Sequence, residues 1–329
     1  MIAAVMISRP VGAALAEKVR RALEIVLHIG AHRTGSTSFQ HFARENARGL
    51  AAQGIAVWCP RMTRPELLSG IQPAPGRVPA QARRAEARLR LRCAEAERAG
   101  TKTLILSDEN MMGTPQGNVQ AAALYPGAGE RLARIGAALH GQVTRVVLSV
   151  RSPDAYWASL LAMTVARGHA VPGARAIKAL VATRRGWRDV ICDVACALPG
   201  TDVCVMPHEA FASTPEARLD TMVGRPCGLP MRRDWLNRAP DLPALRRLLR
   251  DRGQNPAVLP HGAGRWTPFD AGQTAALRES YADDLHWLAA GADGVAQLIT
   301  WTAPDKTGQT PRPGAMTRGH THEQQGRLA

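Results

Sequence analysis

Residues 25–40 read Ile-Val-Leu-His-Ile-Gly-Ala-His-Arg-Thr-Gly-Ser-Thr-Ser-Phe-Gln. An aliphatic run enters a Gly/Ser/Thr turn and leaves it as the start of a helix. Strand, glycine-bearing turn and helix in that order open an α/β domain. Free amides at a helix N-terminus also make a site for an anion. The spacing of Gly30 and Gly35, followed by Ser36 and Thr37, nearly satisfies G-x-x-x-x-G-K-[ST], the pattern of nucleotide phosphate loops. Ser36 stands where that pattern puts its lysine. The nearest cation is Arg33, three places earlier.

Outward from this stretch, strand and helix patterns alternate. Aliphatic or β-branched runs predict strands over 24–29, 55–58, 103–107, 143–150 and 202–206. Between them, helices are expected over 36–52, 79–99, 129–140, from Pro153 onward, and over 186–197, 213–223, 241–251 and 270–290. Residues 61–78, rich in Pro and Gly, read as a loop. The expected fold is α/β: a three-layer α/β/α domain over 25–290 with a central, mostly parallel sheet. Residues 1–24 form an N-terminal extension. Residues 291–329 are expected to be a disordered tail, polar and rich in Gly and Pro from 302 on.

The 329 residues are 45% hydrophobic, enough for a sizeable core, but only 4% aromatic, so aliphatics and alanine must fill it. The formal net charge is +15 and rests on arginine, since the only lysines are Lys18, Lys102, Lys178 and Lys306. These arginines are dispersed and form no stripe interleaved with aromatics, which argues against a specific nucleic-acid partner. A polyanionic nucleotide would benefit from the field. The six cysteines show neither C-x-x-C nor zinc spacing, so free thiols in a reducing compartment, and no metal, are expected. No apolar run has membrane-spanning length. Residues 2–7 lack the preceding charge and the length of a signal peptide. A cytoplasmic protein is expected.

In open parallel sheets ligands bind beyond the carboxyl ends of the strands. Three such ends carry polar residues here. The first offers His32, Arg33, Thr34, Gly35, Ser36, Thr37 and Ser38, which could cradle an anion, although Ser or Thr there could simply cap the helix. The second offers Ser107, Asp108 and Glu109. The third offers Arg151, with Ser159 eight residues on; the pair could clamp a second phosphate, or Arg151 could pair with Asp154. Glu109 could act as a general base, with Asp108 and His32 as competitors for that role. His28 reads as a packed strand residue. If these three strands are neighbours, their polar ends converge.

The motifs also carry a resemblance. His28 to Gln40 resembles the 5′-phosphosulfate loop of PAPS-dependent sulfotransferases, especially the bacterial form with an H-I-G-x-[HK]-[KR]-T-G-[ST]-T-S-x-Q character. Val146 to Pro153, with Ser159 eight residues after Arg151, resembles that family's 3′-phosphate motif. Leu106-Ser107-Asp108-Glu109 resembles the strand end where the family places a catalytic acid or histidine. Phe269 to Leu288, with Tyr281 and Asp284, is similar to the C-terminal helix of bacterial members. The family's lysine is Arg33 here, which keeps the charge and gains a fork. Its R-K-G segment has only a faint echo in Gly262-Ala263-Gly264-Arg265-Trp266, so adenine contacts are unassigned.

The resemblance implies a P-loop-like domain that moves a sulfuryl group from PAPS to a hydroxyl or amine and releases 3′,5′-ADP without a metal. The acceptor would be a small molecule, a glycan or a lipid, shaped by residues 60–80, 110–128 and 164–186. His32 to Ser38, Arg151 and Ser159 would hold the donor, Arg33 the transferring group, and Glu109 would take the acceptor's proton. The alternatives are a P-loop kinase or NTPase, disfavoured by the displaced lysine, and a non-catalytic nucleotide-binding protein.

Overall fold

The computed structural model describes residues 23–73, 78–230 and 235–300. The strands are β1 (Glu24–His28), β2 (Ile55–Trp58), β3 (Thr103–Ser107), β4 (Val143–Val150), β5 (Asp202–Pro207) and β6 (Gln297–Leu298). They form one sheet in the order β2-β3-β1-β4-β5-β6, with every neighbouring pair parallel. The longer helices are α1 (Ser36–Glu45), α2 (Pro79–Arg98), α3 (Ala128–Ala138), α4 (Pro153–Ala166), α5 (Ala174–Ala182), α6 (Trp187–Ala197), α7 (Pro215–Val223), α8 (Leu242–Asp251) and α9 (Ala271–Ala289).

Strands buried on both faces read as continuous apolar runs, and the two faces here feed two cores. Ile25, Leu27, Leu104, Leu106, Val146 and Leu148 pack on one side with residues of α2, α3, α4, α6 and α9. Val26, Ile105, Val147 and Met206 pack on the other with Phe39 and Phe42 of α1 and Leu219 and Met222 of α7. The result is the expected three-layer α/β/α arrangement, with an all-parallel sheet. Among the described residues, no helix is long and apolar enough to cross a membrane.

The structure departs from the sequence pattern in several places. Helices form at Pro115–Ala121 and at α5, where the sequence pattern predicted none. The helix expected over 36–52 divides at Asn46 into α1 and a short helix, Ala47–Ala52. The Asn46 side chain donates to the Phe42 carbonyl at 2.8 Å, the local competition that makes Asn a helix breaker. The loop expected over 61–78 contains a helical turn, Pro60–Met62, and a wider turn, Thr63–Leu67, closed by Leu68 N–H on the Thr63 carbonyl at 2.7 Å. Pro60 permits this because proline tolerates the first helical position. Finally, residues 291–299, expected to belong to the tail, are part of the fold. Gln297 and Leu298 pair with Cys204 and Val205, and Ile299 N–H reaches the Val205 carbonyl at 2.8 Å. Residues 1–22 and 301–329, which hold most of the expected extension and tail, lie outside the described residues.

Candidate active site

Strand order decides the site. β1 lies between β3 and β4, so the three polar strand ends are immediate neighbours. Past the end of β1 the chain stays stitched to β4: Ala31 N–H donates to the Ser149 carbonyl at 3.0 Å, and Ser149 N–H to Gly30 at 2.6 Å. It then turns with positive φ at Gly30 (99°), Arg33 (63°) and Gly35 (91°). Such left-handed steps turn backbone amides to one side and form a concave nest for an anion. Gly35 is the N-cap of α1, and no side chain caps the helix. The Thr34 and Ser36 hydroxyls instead donate back to the Ala31 carbonyl, at 2.7 and 3.4 Å. This is not an ordinary capped helix start: among the described residues no side chain caps it, and Gly35 to Ser38 line the cleft.

His32, Arg33, Gly35, Ser36, Thr37 and Ser38 all line that cleft. Thr34 does not. It is fully buried, and its carbonyl accepts from His208 Nδ1 at 3.1 Å and Arg218 Nη2 at 2.9 Å. Its side chain therefore shapes the loop and does not face the cleft. The segment following residue 234 crosses the loop: Leu236 N–H donates to Ser38 Oγ at 3.0 Å, and Asn237 Nδ2 to Thr37 Oγ1 at 3.5 Å.

Arg151 and Ser159, expected to clamp a second phosphate between them, both line the cleft, and each is engaged with Arg33. Arg33 Nε donates to Ser159 Oγ at 3.0 Å and its Nη2 to the Asn237 carbonyl at 2.8 Å. The left-handed backbone at Arg33 throws this side chain across to α4. Arg151 Nη1 donates instead to the Arg33 carbonyl at 2.8 Å. Asp154, the alternative partner for Arg151, is bonded to Ser152 and Arg278. Among the described residues, neither Arg33 nor Arg151 has a carboxylate partner. Burial and the nearby Arg151 and Arg167 bring Arg33 down to about 10. Burial and Arg265 lower Arg151. Cations crowd one wall of the cleft, and both arginines stay charged at neutral pH.

The two candidate carboxylates separate clearly. Asp108 is 1% exposed and saturated: Arg64 forks onto it through Nε and Nη2 (3.0 and 2.8 Å to Oδ1), Thr63 Oγ1 donates at 2.7 Å, and Asn110 N–H at 3.0 Å. Glu109 faces the cleft and keeps lone pairs free, with one bond to each oxygen, from Arg64 Nη2 at 3.0 Å and Gln40 Nε2 at 3.2 Å. Its position is fixed by contact. A Cβ on Gly30 would meet the Glu109 Cβ at 2.7 Å, so only glycine fits there.

His32 is not placed as a free base. Nδ1 bonds the Tyr125 hydroxyl at 2.8 Å and Nε2 bonds Asn110 Oδ1 at 2.9 Å. The amide oxygen only accepts, so Nε2 carries the proton and Nδ1 accepts from tyrosine. Burial holds the ring below its ordinary pKa, against an opposing pull from Glu109. The same Tyr125 oxygen accepts His32 N–H at 2.8 Å and the Tyr156 hydroxyl at 3.2 Å, and Asn118 Nδ2 donates to Tyr156 at 2.9 Å. A buried chain of side chains thus ties the loop to the Asp108–Asn110 turn. His28 is packed as expected, edge-on to Phe39 and bonded to Ser107 Oγ at 2.8 Å.

Sequence reading missed Arg64, Tyr125, His208 and Arg218. Arg64 fell in an expected loop, and the others are single polar residues whose partners lie far away in sequence. Tyr281 and Asp284, singled out on α9, act at one remove. Asp284 caps α6 through Trp187 N–H at 2.8 Å, and Trp187 Nε1 holds the Arg151 carbonyl at 2.8 Å. Tyr281 donates to Glu209 at 2.9 Å.

The cleft encloses about 1380 Å³, more than the ~300–1,000 Å³ of a typical small-molecule site. It has room for two substrates. Each segment expected to shape an acceptor contributes to its wall: Arg64, then Thr114 to Gln116, then Arg167 and His169. Trp235 and Trp266 line it as well. No protein-family model, curated protein or solved structure matches the chain.

Proposed function

We propose that this cleft transfers a sulfuryl group from PAPS to a hydroxyl or amine acceptor and releases 3′,5′-ADP, as a P-loop-like sulfotransferase. One observation carries the reading. Arg33 and Arg151, from adjacent strand ends, stand beside an uncapped helix N-terminus with no carboxylate partner among the described residues, and Glu109 lines the same cleft. Two separate cations suit a donor with two separate anionic ends.

The donor fits the residues present. The amides at Gly35 and Ser36, with the Thr37 and Ser38 hydroxyls, would hold the 5′ end, Arg151 the 3′-phosphate, and the Trp235 or Trp266 face a purine. When bound, PAPS supplies a sulfuryl group whose bond to the 5′-phosphate oxygen breaks as the acceptor atom bonds to sulfur, with the electron pair leaving on 3′,5′-ADP. Glu109, on the cleft lining, would take the proton from an acceptor that comes within hydrogen-bond reach. Arg33, held by Ser159, stabilises the charge gathering at the leaving oxygen, and preorganised charge of this kind is the largest catalytic contribution in many enzymes. Arg64 and Gln40 keep the Glu109 carboxylate pointed at the cleft.

The saturation of Asp108 weighs against the kinase alternative. In P-loop NTPases a strand-end aspartate is free to hold Mg²⁺, whereas both Asp108 oxygens are engaged by Arg64. The test is a thermal-shift comparison of 3′,5′-ADP, 5′-AMP and ATP with Mg²⁺. The largest rise in Tm with 3′,5′-ADP supports the donor assignment. The largest rise with ATP favours the kinase reading. Sulfate transfer from PAPS to an acceptor pool then separates an enzyme from a binding protein.

A further inference from the structure

Arg218, on α7, is 1% exposed. Its Nη2 donates to the Thr34 carbonyl at 2.9 Å and to the Phe211 carbonyl at 3.3 Å, while Nε and Nη1 have no hydrogen-bond partner among the described residues. Among the described residues no carboxylate pairs with it. Buried charges are ordinarily paired, because an isolated ion in a low-dielectric interior is costly. An orphan of this kind calls for an explanation.

Its location supplies one. A Cβ built on Gly35 would lie 3.7 Å from Nη2 and 3.9 Å from the unpartnered Nη1. The guanidinium therefore backs onto the N-cap of α1 from the protein side, while Gly35 and Ser36 line the cleft on the other. Burial lowers its pKa to about 10, so it is charged at neutral pH.

We propose that Arg218 is the buried counter-charge of the anion held by the loop: it acts through the Thr34–Gly35 backbone and does not touch the ligand. Among the described residues nothing compensates its charge. An anion on the amides above it restores neutrality across one layer of backbone. The bond to Thr34 also points that carbonyl down, away from the ligand. This rests on the reading that the loop binds an anion, but not on which nucleotide carries it.

The test measures the binding of adenosine, 5′-AMP, 3′,5′-ADP and inorganic pyrophosphate by calorimetry in the wild type, Arg218→Met and Arg218→Lys. The loss expected in the Met variant is on the order of tenfold for each anion, as for a unit charge about 10 Å away at an effective dielectric near 20. Adenosine binding should not change, and Lys should restore most of the anion affinity. Equal losses for adenosine and the anions, or a folded Lys variant no better than Met, would reduce Arg218 to a packing role and overturn the proposal. If Arg218→Met fails to fold, Arg218→Gln, which keeps a donor for Thr34, takes its place under the same criteria. A wild type that binds 3′,5′-ADP no better than 5′-AMP refutes the PAPS reading, and the pyrophosphate arm still decides on Arg218. A wild type that binds none of the anions overturns both.

Discussion

Replacing Tyr125 with Phe removes one oxygen and leaves the ring in place. That oxygen is used to capacity: it accepts His32 N–H and the Tyr156 hydroxyl and donates to His32 Nδ1. A hydroxyl offers one donor and two acceptor sites, so none is spare. Tyr125 is fully buried, and the loss orphans three groups. An unsatisfied buried group costs about 1–3 kcal/mol. Tyr156 can turn its proton elsewhere, whereas His32 N–H is fixed in the backbone. The expected destabilisation is therefore roughly 3–5 kcal/mol, a large part of the ~5–15 kcal/mol that holds a typical domain together. Tyr156→Phe strands only Asn118 Nδ2 and leaves Tyr125 with two partners, so it should cost about 1–2 kcal/mol. The double variant should cost less than the sum, because the two share a bond. Equilibrium urea denaturation followed by tryptophan fluorescence measures all three. A loss below about 1 kcal/mol for Tyr125→Phe, or equal losses for both single variants, would show that the network is not what holds the loop.

Glu109→Gln should leave 3′,5′-ADP binding intact and lower sulfate transfer by roughly 10²–10⁴, while Asp108→Asn should mainly lower the Tm by disturbing the Arg64 fork. The reverse pattern would make Asp108 the base. Arg151→Ala should weaken 3′,5′-ADP by at least about tenfold more than adenosine 5′-phosphosulfate; some loss for both is expected, because Arg151 also holds the Arg33 carbonyl. Equal losses remove the 3′-phosphate assignment. His28, His32 and His208 are all held below 6.5, burial being the first cause in each, and His208 falls to about 3. Unfolding below pH 6.5 therefore takes up protons. This stability is complete above about 6.5 and falls as the pH drops toward the folded values, with a slope of at most about 1.4 kcal/mol per pH unit for each histidine. Urea midpoints that stay flat between pH 7 and 5 would contradict it.

Much of this architecture was legible in the sequence because strands buried on both faces leave long aliphatic runs, and β1, β3 and β4 carry them. β6 was not, since two residues hold no period. The residue types at the strand ends were legible as well, but not their partners. Ser159 bonds Arg33 and not Arg151 because backbone torsions at Arg33 aim its side chain, and no spacing rule encodes them. The division of labour between Asp108 and Glu109 depends on Arg64, which hangs from the Thr63–Leu67 turn. Its Pro65 made that segment read as irregular.

The contact between Gly30 and Glu109 bears on how such a protein could be redesigned. The loop that follows β1 and the Glu109 carboxylate are welded along one seam between β1 and β3, so neither can be shifted without the other. Under the proposed function, variation in acceptor choice comes from the outer walls, around Thr114 to Gln116 and at Arg167 and His169. Those segments can be exchanged while the seam is kept, which makes them the place to graft new specificities onto an unchanged chemical engine.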